Sequence, residues 1–401
     1  MKAIVLAAGK GTHLTPFSPD RTASLVDICG TTVLEHTVKL LREAGVSDVV
    51  VVVNPAEQKI PRLLGDGRHL HVSVDIVRQS GPEGIGGAIL EAAGRFQPGE
   101  NFFLVYGDTL TASNVFVHAQ QSHHLHRAPV AAVCLTSKTD PYGIIYMESG
   151  MRISRVVEKP KDVGLGNYVL AGVFVLPQIF FSYLKEASGS MIGALERVVA
   201  KDRLYASIWE DDWVDLRYPW DVLKANRIVM KGWDAASIAK TAKISEGATL
   251  VGPVRIAEGV TIQAGACLRG PCFVGAETFV GNNSLIREFT SVGAKSQVGF
   301  GVELKNCVIF GGTHVGRLSF LGDSVIGAGV DVGAGTMTIN RQLDNRAIDV
   351  EIAGRSIASG LAKLGSFVGD GAVIGASNTL AAGTVIEARA VVPHQFTHGR
   401  K

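Results

Sequence analysis

Residues 274–299 read VGAETFVGNNSLIREFTSVGAKSQVG, with Val274-Gly275, Val280-Gly281, Val292-Gly293 and Val298-Gly299 on a six-residue grid. The pattern recurs at Leu321-Gly322, Ile326-Gly327, Val332-Gly333, Val368-Gly369 and Ile374-Gly375. A fixed period of six predicts a left-handed parallel β-helix of hexapeptide repeats, each coil burying its aliphatic positions against the coils above and below. The grid begins near Ile244 and fails between Arg341 and Leu364, which predicts a loop leaving the prism there. Upstream, Asp221 to Lys231 reads as a helix joining two domains. The expected division is residues 1–231, a linker at 232–243, and the β-helix at 244–401.

The first half has a different grammar. Lys2 to Ala7, Val49 to Val53, Val72 to Val77, Phe102 to Tyr106 and Val130 to Leu135 are short runs rich in β-branched residues. Val33 to Glu43 and Ala88 to Ala93 carry helical spacing between them. Strand–helix alternation predicts an α/β domain of Rossmann-like type, with a mostly parallel sheet covered on both faces. Ligands of such sheets bind at the carboxyl ends of the strands, so the loops after Ala7, Val77 and Tyr106 are the places to search.

Composition narrows the classes of function. The chain has 46% hydrophobic and 19% charged residues, as globular proteins do, and its 401 residues favour two domains. A net charge of +2 without a long basic run argues against a nucleic-acid surface. No stretch approaches the roughly 20 apolar residues of a membrane span, and the N-terminal apolar run is too short for a signal peptide. The scattered Cys29, Cys134, Cys267, Cys272 and Cys307 suit reduced thiols and a cytoplasmic location. His118, His123, His124 and His126 lack clean metal-site spacing and read as a solvated polar face.

The first strand runs into Ala7-Ala8-Gly9-Lys10-Gly11-Thr12. Glycines at a strand's carboxyl end let backbone N–H groups approach phosphates. The spacing is not that of a Walker A loop, and a plain structural turn is the competing reading. Further along come Tyr106-Gly107-Asp108, Val157-Glu158-Lys159-Pro160 and Trp213-Val214-Asp215. In this order, and with the hexapeptide repeats, these segments resemble the bifunctional N-acetylglucosamine-1-phosphate uridylyltransferase/glucosamine-1-phosphate acetyltransferase family and its archaeal-type sugar-1-phosphate nucleotidyltransferase relatives.

The resemblance spans nearly the whole chain and implies a reaction: a sugar 1-phosphate attacks the α-phosphate of a nucleoside triphosphate, and pyrophosphate leaves. It implies Mg²⁺ held by Asp108 and Asp215, since hard cations take carboxylate oxygens. Two turn or capping aspartates are the bland alternative. It implies nucleotide contacts from Ala7, Ala8, Gly9, Gly11, Thr12, His13, Gln79 and Gly84. It implies a sugar-phosphate contact from Lys159 and sugar contacts from Gly143, Glu158 and Asn167. A homotrimer formed through flat β-helix faces is implied in the same way.

Several positions depart from the family pattern. His13 stands where the family has arginine, Ala23 where it has the triphosphate-binding lysine, and Ile85 where it has threonine. Losing one preorganised donor at growing charge costs about 100- to 1000-fold in rate. Arg21, two residues from the vacant lysine position, is the candidate replacement, and Arg217 is a second new cation beside Asp215. In the β-helix, the acetyltransferase's general-base histidine is Arg317 and its partner tyrosine is Phe320, whereas Asn340 and Lys363 still match. A guanidinium cannot accept the amine's proton. His314 lies three residues away, which on an extended coil points it to the other side.

Three readings therefore stand: a nucleotidyltransferase with a rearranged phosphate clamp; a degenerate nucleotide-sugar-binding paralogue that regulates an active partner; and a β-helix acyltransferase with another acceptor.

Overall fold

The run Lys2–Ala7 (β1) is the centre of a nine-stranded sheet in the computed structural model, which describes residues 1–9, 11–17, 21–136, 142–158, 168–395 and 397–398. The chain forms two compact units, one of residues 1–10 and 33–215, the other of residues 11–32 and 216–401.

In the first unit, β1 is flanked by Asp48–Val53 (β2), with Ser73–Arg78 (β3) beyond it, and on the other side by Asn101–Tyr106 (β4). These four strands are parallel, and five consecutive valines of β2 are buried, as a strand covered on both faces requires. The remaining strands are Val130–Leu135 (β5), Gly143–Met147 (β6), Ile153–Glu158 (β7), Tyr168–Pro177 (β8) and Tyr205–Trp209 (β9). The order is β7-β6-β8-β4-β1-β2-β3, with β5 between β8 and β9. The amphipathic helix Val33–Glu43 buries Val33, Leu34, Val38 and Leu41.

Strand β8 is antiparallel to β4 and breaks register with β5 between Leu170 and Phe174. Gly172 lies in that bulge at φ 77°, and a Cβ there would come 3.0 Å from Cβ of Tyr106. The bulge thus gives the backbone of β8 close access to the residue that precedes Gly107-Asp108.

The second unit is built on three eight-stranded parallel sheets, the faces of a left-handed β-helix. Ile262, Val280, Val298, Val315, Val332, Ile374 and Val392 stack in register along one inner column, all buried. The repeat glycines follow from the corners: a Cβ on Gly293 would lie 2.5 Å from the backbone N of Gly311 in the next coil. Two expectations need correction. The prism begins at Ser237–Ile238, inside the expected linker, because its first coil is exposed and lacks the apolar–glycine signature. The expected loop at 341–364 contains an antiparallel hairpin, Asp349–Ile352 with Arg355–Ala358, whose Val350 and Ile352 are buried.

Residues 11–32 and the helix Asp221–Lys231 group with the β-helix rather than with the nucleotidyltransferase-like half, and the packing explains why. Phe17 meets Phe310 edge-to-face at 5.7 Å. The Arg21 guanidinium stacks 3.9 Å above the Phe310 ring and pairs with Asp370 at 3.3 Å, both side chains largely buried. Cys29 Sγ donates to Asn226 Oδ1, and Asn226 Nδ2 donates to the carbonyl of Phe289. Burial pushes the thiols of Cys272 and Cys307 up to about 12, which keeps them protonated and inert. Among the described residues no helix is long and apolar enough to cross a membrane.

Two substitutions test this architecture. Arg21→Ala strips the buried Asp370 carboxylate of its cation and should cost about 2 kcal/mol in chemical denaturation. Gly172→Ala forces an L side chain into the left-handed region against Tyr106 and should cost about 1–3 kcal/mol, read in the same way.

Candidate functional site

The carboxyl ends of β1 and β4 are neighbours: Leu6 is the register partner of Tyr106, and the N–H of Gly107 donates to the carbonyl of Leu6 at 2.9 Å. The turn Ala7-Ala8-Gly9 is therefore placed beside Asp108. Ala7 is buried, Ala8 half-buried and Gly9 exposed with open space around its Cα, so the turn offers backbone rather than side chains. Lys10 lies outside the described residues.

Directly after Asp108, the short strand Thr109–Thr111 pairs antiparallel with Trp213–Asp215, placing Asp215 opposite Thr109. More than one hundred residues of chain separate the two aspartates, and this ladder closes the gap. Trp213 Nε1 anchors the second strand by donating to the carbonyl of Ala171, next to the Gly172 bulge. Burial raises the Asp108 carboxyl above the usual carboxylate range, opposed by a backbone N–H. A carboxyl pushed up by burial gains most from a nearby cation, and carboxylate oxygens are the donors that a hard divalent ion takes.

On the same sheet, Gly143 and Glu158 are register partners at the ends of β6 and β7. Gly143 adjoins Leu170 of β8, where an added Cβ would come 3.2 Å from its side chain. The sheet thus brings together two of the three expected sugar contacts. Lys159 and Asn167 lie outside the described residues.

The loop after β3 carries Gln79 and Gly84. Gln79 Nε2 donates to the carbonyls of Pro82 and Gly84 at 2.7 and 3.1 Å. Glu91, which the sequence reading did not single out, accepts from Ser80 N, Ser80 Oγ and Gly81 N at 2.8, 2.9 and 2.7 Å. The backbone donor of Gly81, followed by those of Ser80, holds the Glu91 carboxyl below its usual range. The only sequence signal for this brace is a glutamate at the end of the helix Ile85–Glu91 that follows the loop. Ile85 is exposed.

In the second unit, Gly11, Thr12 and His13 enter a short 3₁₀ turn, Thr12–Leu14, with Gly11 at φ 60°. His13 is exposed, its ring 6.1 Å from that of Tyr218. Ala23, at the family's lysine position, is buried in another 3₁₀ turn, Ala23–Leu25. Arg21, the expected replacement, has its guanidinium on Asp370 and Phe310 instead. The backbone N–H of Arg217 donates to the carboxylate of Asp221.

Two of the β-helix candidates, Phe320 and Asn340, are neighbours over Gly322, where an added Cβ would come 2.8 Å from the Phe320 ring and 3.0 Å from Asn340 Nδ2. Asn340 Nδ2 donates to Asp323 Oδ2 at 2.7 Å, Asn306 Nδ2 donates to the other oxygen, and Lys305 approaches at 3.6 Å. The Phe320 ring lies over Gly322, and Lys363 is exposed. His314 and Arg317 are both exposed, and a turn at Arg317-Leu318 ends the extended stretch that carries His314. His314 Nδ1 is 2.8 Å from Asp331 Oδ1. Of the histidine cluster, His118 bonds Ser207, His123 bonds the carbonyl of Ala128, and His126 stacks on Tyr205.

Comparison with known proteins agrees with this layout. Residues 2–232 match the family model described as nucleotidyl transferase, and residues 268–397 match the GMPPB C-terminal domain. A bifunctional sugar-1-phosphate nucleotidylyltransferase/acetyltransferase of Sulfurisphaera tokodaii is 29% identical, over 97% of this chain and 95% of its own length. The bifunctional protein GlmU of Methanococcus maripaludis is 29% identical over 92% and 88%. The low-salt glycan biosynthesis nucleotidyltransferase Agl11 of Haloferax volcanii is 28% identical over 83% and 94%. Among solved structures, a putative glucose-1-phosphate thymidylyltransferase of Bacillus anthracis shares the fold at TM-score 0.53 and 19% identity, covering 57% of this chain and 94% of that one. A UTP-bound UGPase of Acinetobacter baumannii does so at 0.51 and 23%, covering 56% and 91%. With its motifs in family order and the family model matching more than half its length, the chain belongs to the nucleotidyl transferase family.

Proposed function

We propose that the protein is a sugar-1-phosphate nucleotidyltransferase, joining a nucleoside triphosphate and a sugar 1-phosphate into a nucleotide sugar with release of pyrophosphate. The observation that supports this reading is the Thr109–Asp215 pairing, which sets Asp215 opposite the residue after Asp108, in the segment that follows β4. Asp108 and Asp215 would hold Mg²⁺, which when bound neutralises the approaching phosphate oxygens. The backbone of the turn would receive phosphate oxygens, and Lys159 would meet the sugar phosphate. Gly143, Glu158 and Asn167 would line the sugar, and Gln79 with Gly84 the base. The expected setting is cytoplasmic, as a homotrimer through the β-helix.

The phosphate clamp is altered in this chain. His13 and Ala23 replace the family's arginine and lysine, and Arg21 is held in a buried ion pair. A weaker electrostatic response to the departing pyrophosphate predicts slow turnover. The same observation favours a second reading, a paralogue that binds nucleotide sugar and regulates an active partner. Acetyl transfer by the family's route lacks its base at Arg317, and Asn340 is engaged with Asp323.

Calorimetric titration with nucleoside triphosphates and nucleotide sugars, with and without Mg²⁺, separates the two readings. Magnesium-dependent triphosphate binding with pyrophosphate release supports the enzyme. Nucleotide-sugar binding alone supports the regulator. For the enzyme, Asp108→Asn should lower kcat by about 100-fold or more, measured by pyrophosphate release. Arg21→Ala should leave triphosphate affinity unchanged, whereas a clamp role would weaken it. Light scattering on the eluting gel-filtration peak should give three times the chain mass, and a monomer would remove the trimer from this account.

A further inference from the structure

The loop 79–84 is closed by a group eleven residues away. Glu91 Oε1 accepts three hydrogen bonds, from Ser80 N, Ser80 Oγ and Gly81 N. Gln79 completes the closure: its N–H donates to the carbonyl of Val53 at the end of β2, and its amide nitrogen donates to Pro82 and Gly84. Two carbonyl oxygens can only accept, so the amide must present nitrogen to them, leaving its carbonyl oxygen as the side chain's remaining polar atom. The loop is exposed at Ser80 to Gly84 and has no core of its own, so these bonds, rather than apolar packing, fix its shape.

We infer that Glu91 is a positioning residue for nucleobase recognition: by taking three donors of the loop onto one carboxylate oxygen, it fixes the loop so that Gln79 meets the base through its carbonyl oxygen. This rests on the reading above that Gln79 and Gly84 face the base of a nucleoside triphosphate. Hydrogen bonds to a carboxylate are stronger than those to a neutral acceptor, and three on one atom define a single loop conformation. Without them the loop samples others, and the base must select the competent one from a mixture. The apparent affinity falls by the fraction of loops correctly formed, while the chemical step, at Asp108 in the turn after β4, is untouched. Contacts that differ between bases lose their definition as well, so discrimination narrows.

The test is steady-state kinetics of Glu91→Ala, Glu91→Gln and Ser80→Ala with UTP, dTTP, GTP, ATP and CTP, at saturating Mg²⁺ and a fixed sugar 1-phosphate. If the protein binds triphosphate without turning over, dissociation constants replace KM. In Glu91→Ala, KM for the preferred triphosphate should rise about tenfold, with kcat and sugar-phosphate KM within about twofold. The spread of kcat/KM across the five bases should contract. Glu91→Gln, which keeps an acceptor oxygen, should recover most of the loss. Ser80→Ala, at an exposed position and removing one of the three bonds, should shift KM in the same direction by less. It decides the matter if Glu91→Ala does not fold. An unmoved triphosphate KM, a fall in kcat parallel to KM, or no rescue by glutamine would overturn the inference while leaving the nucleotidyltransferase reading intact. Absence of triphosphate binding by the unmodified protein would overturn both.

Discussion

Three residues of strand, Trp213–Asp215, lie against Thr109–Thr111, and the chemistry available to the first unit depends on that ladder. Asp108 alone is a half-buried carboxyl with a raised pKa. The ladder sets Asp215 opposite Thr109, the residue that follows Asp108. The ladder is itself supported from the β8 side, where Trp213 bonds to Ala171 and Gly172 permits close approach to Tyr106. A short antiparallel ladder thus joins two segments that no local motif links.

The altered cations show how misleading proximity in sequence is. Arg21 stands two positions from the vacant lysine site and in one dimension looks like a compensation. In three dimensions residues 11–32 are folded with the β-helix coils. The same guanidinium that would serve a phosphate is stacked on Phe310 and paired with Asp370, whose other oxygen also takes the N–H of Ala328 at 2.7 Å. Releasing it would leave a largely buried carboxylate without its cation, a cost that a surface arginine does not meet. The placement of Arg21 is thus coupled to the stability of the second unit.

The parts of the fold legible in the sequence are those with a strong period. Lys2–Ala7, Val130–Leu135 and the helix Val33–Glu43 appear with the boundaries that their apolar patterns indicate, and the six-residue grid becomes the inner column of the β-helix. The hairpin inside 341–364 was missed because two four-residue strands packed on a local turn leave too short an alternation to detect. Asp108 and Asp215 were singled out by resemblance to a family, and the ladder between their segments was not legible, since a three-residue strand has no period. Glu91 carried no such resemblance. Its three bonds are made to a neighbouring loop, and a glutamate at a helix end reads as a solvated charge until the loop is seen folded over it.

In the β-helix, inward and outward positions answer to different constraints. Inward positions are fixed by stacking, and each outward side chain answers mainly to neighbours one coil away. Asn340, a residue that matches the acetyltransferase pattern, bonds to Asp323 one coil below, which in turn bonds to Asn306 below that. Such a ladder satisfies a nearly buried carboxylate with two amides and a lysine and is stabilising on its own terms. Retention of Asn340 therefore follows from coil stacking alone and is no evidence for catalysis. Arg317 is exposed and Phe320 half-buried over Gly322, and neither belongs to the buried inner core of the prism. In the first unit, by contrast, Asp215 sits within the two-stranded ladder itself, so its position depends on the backbone pairing.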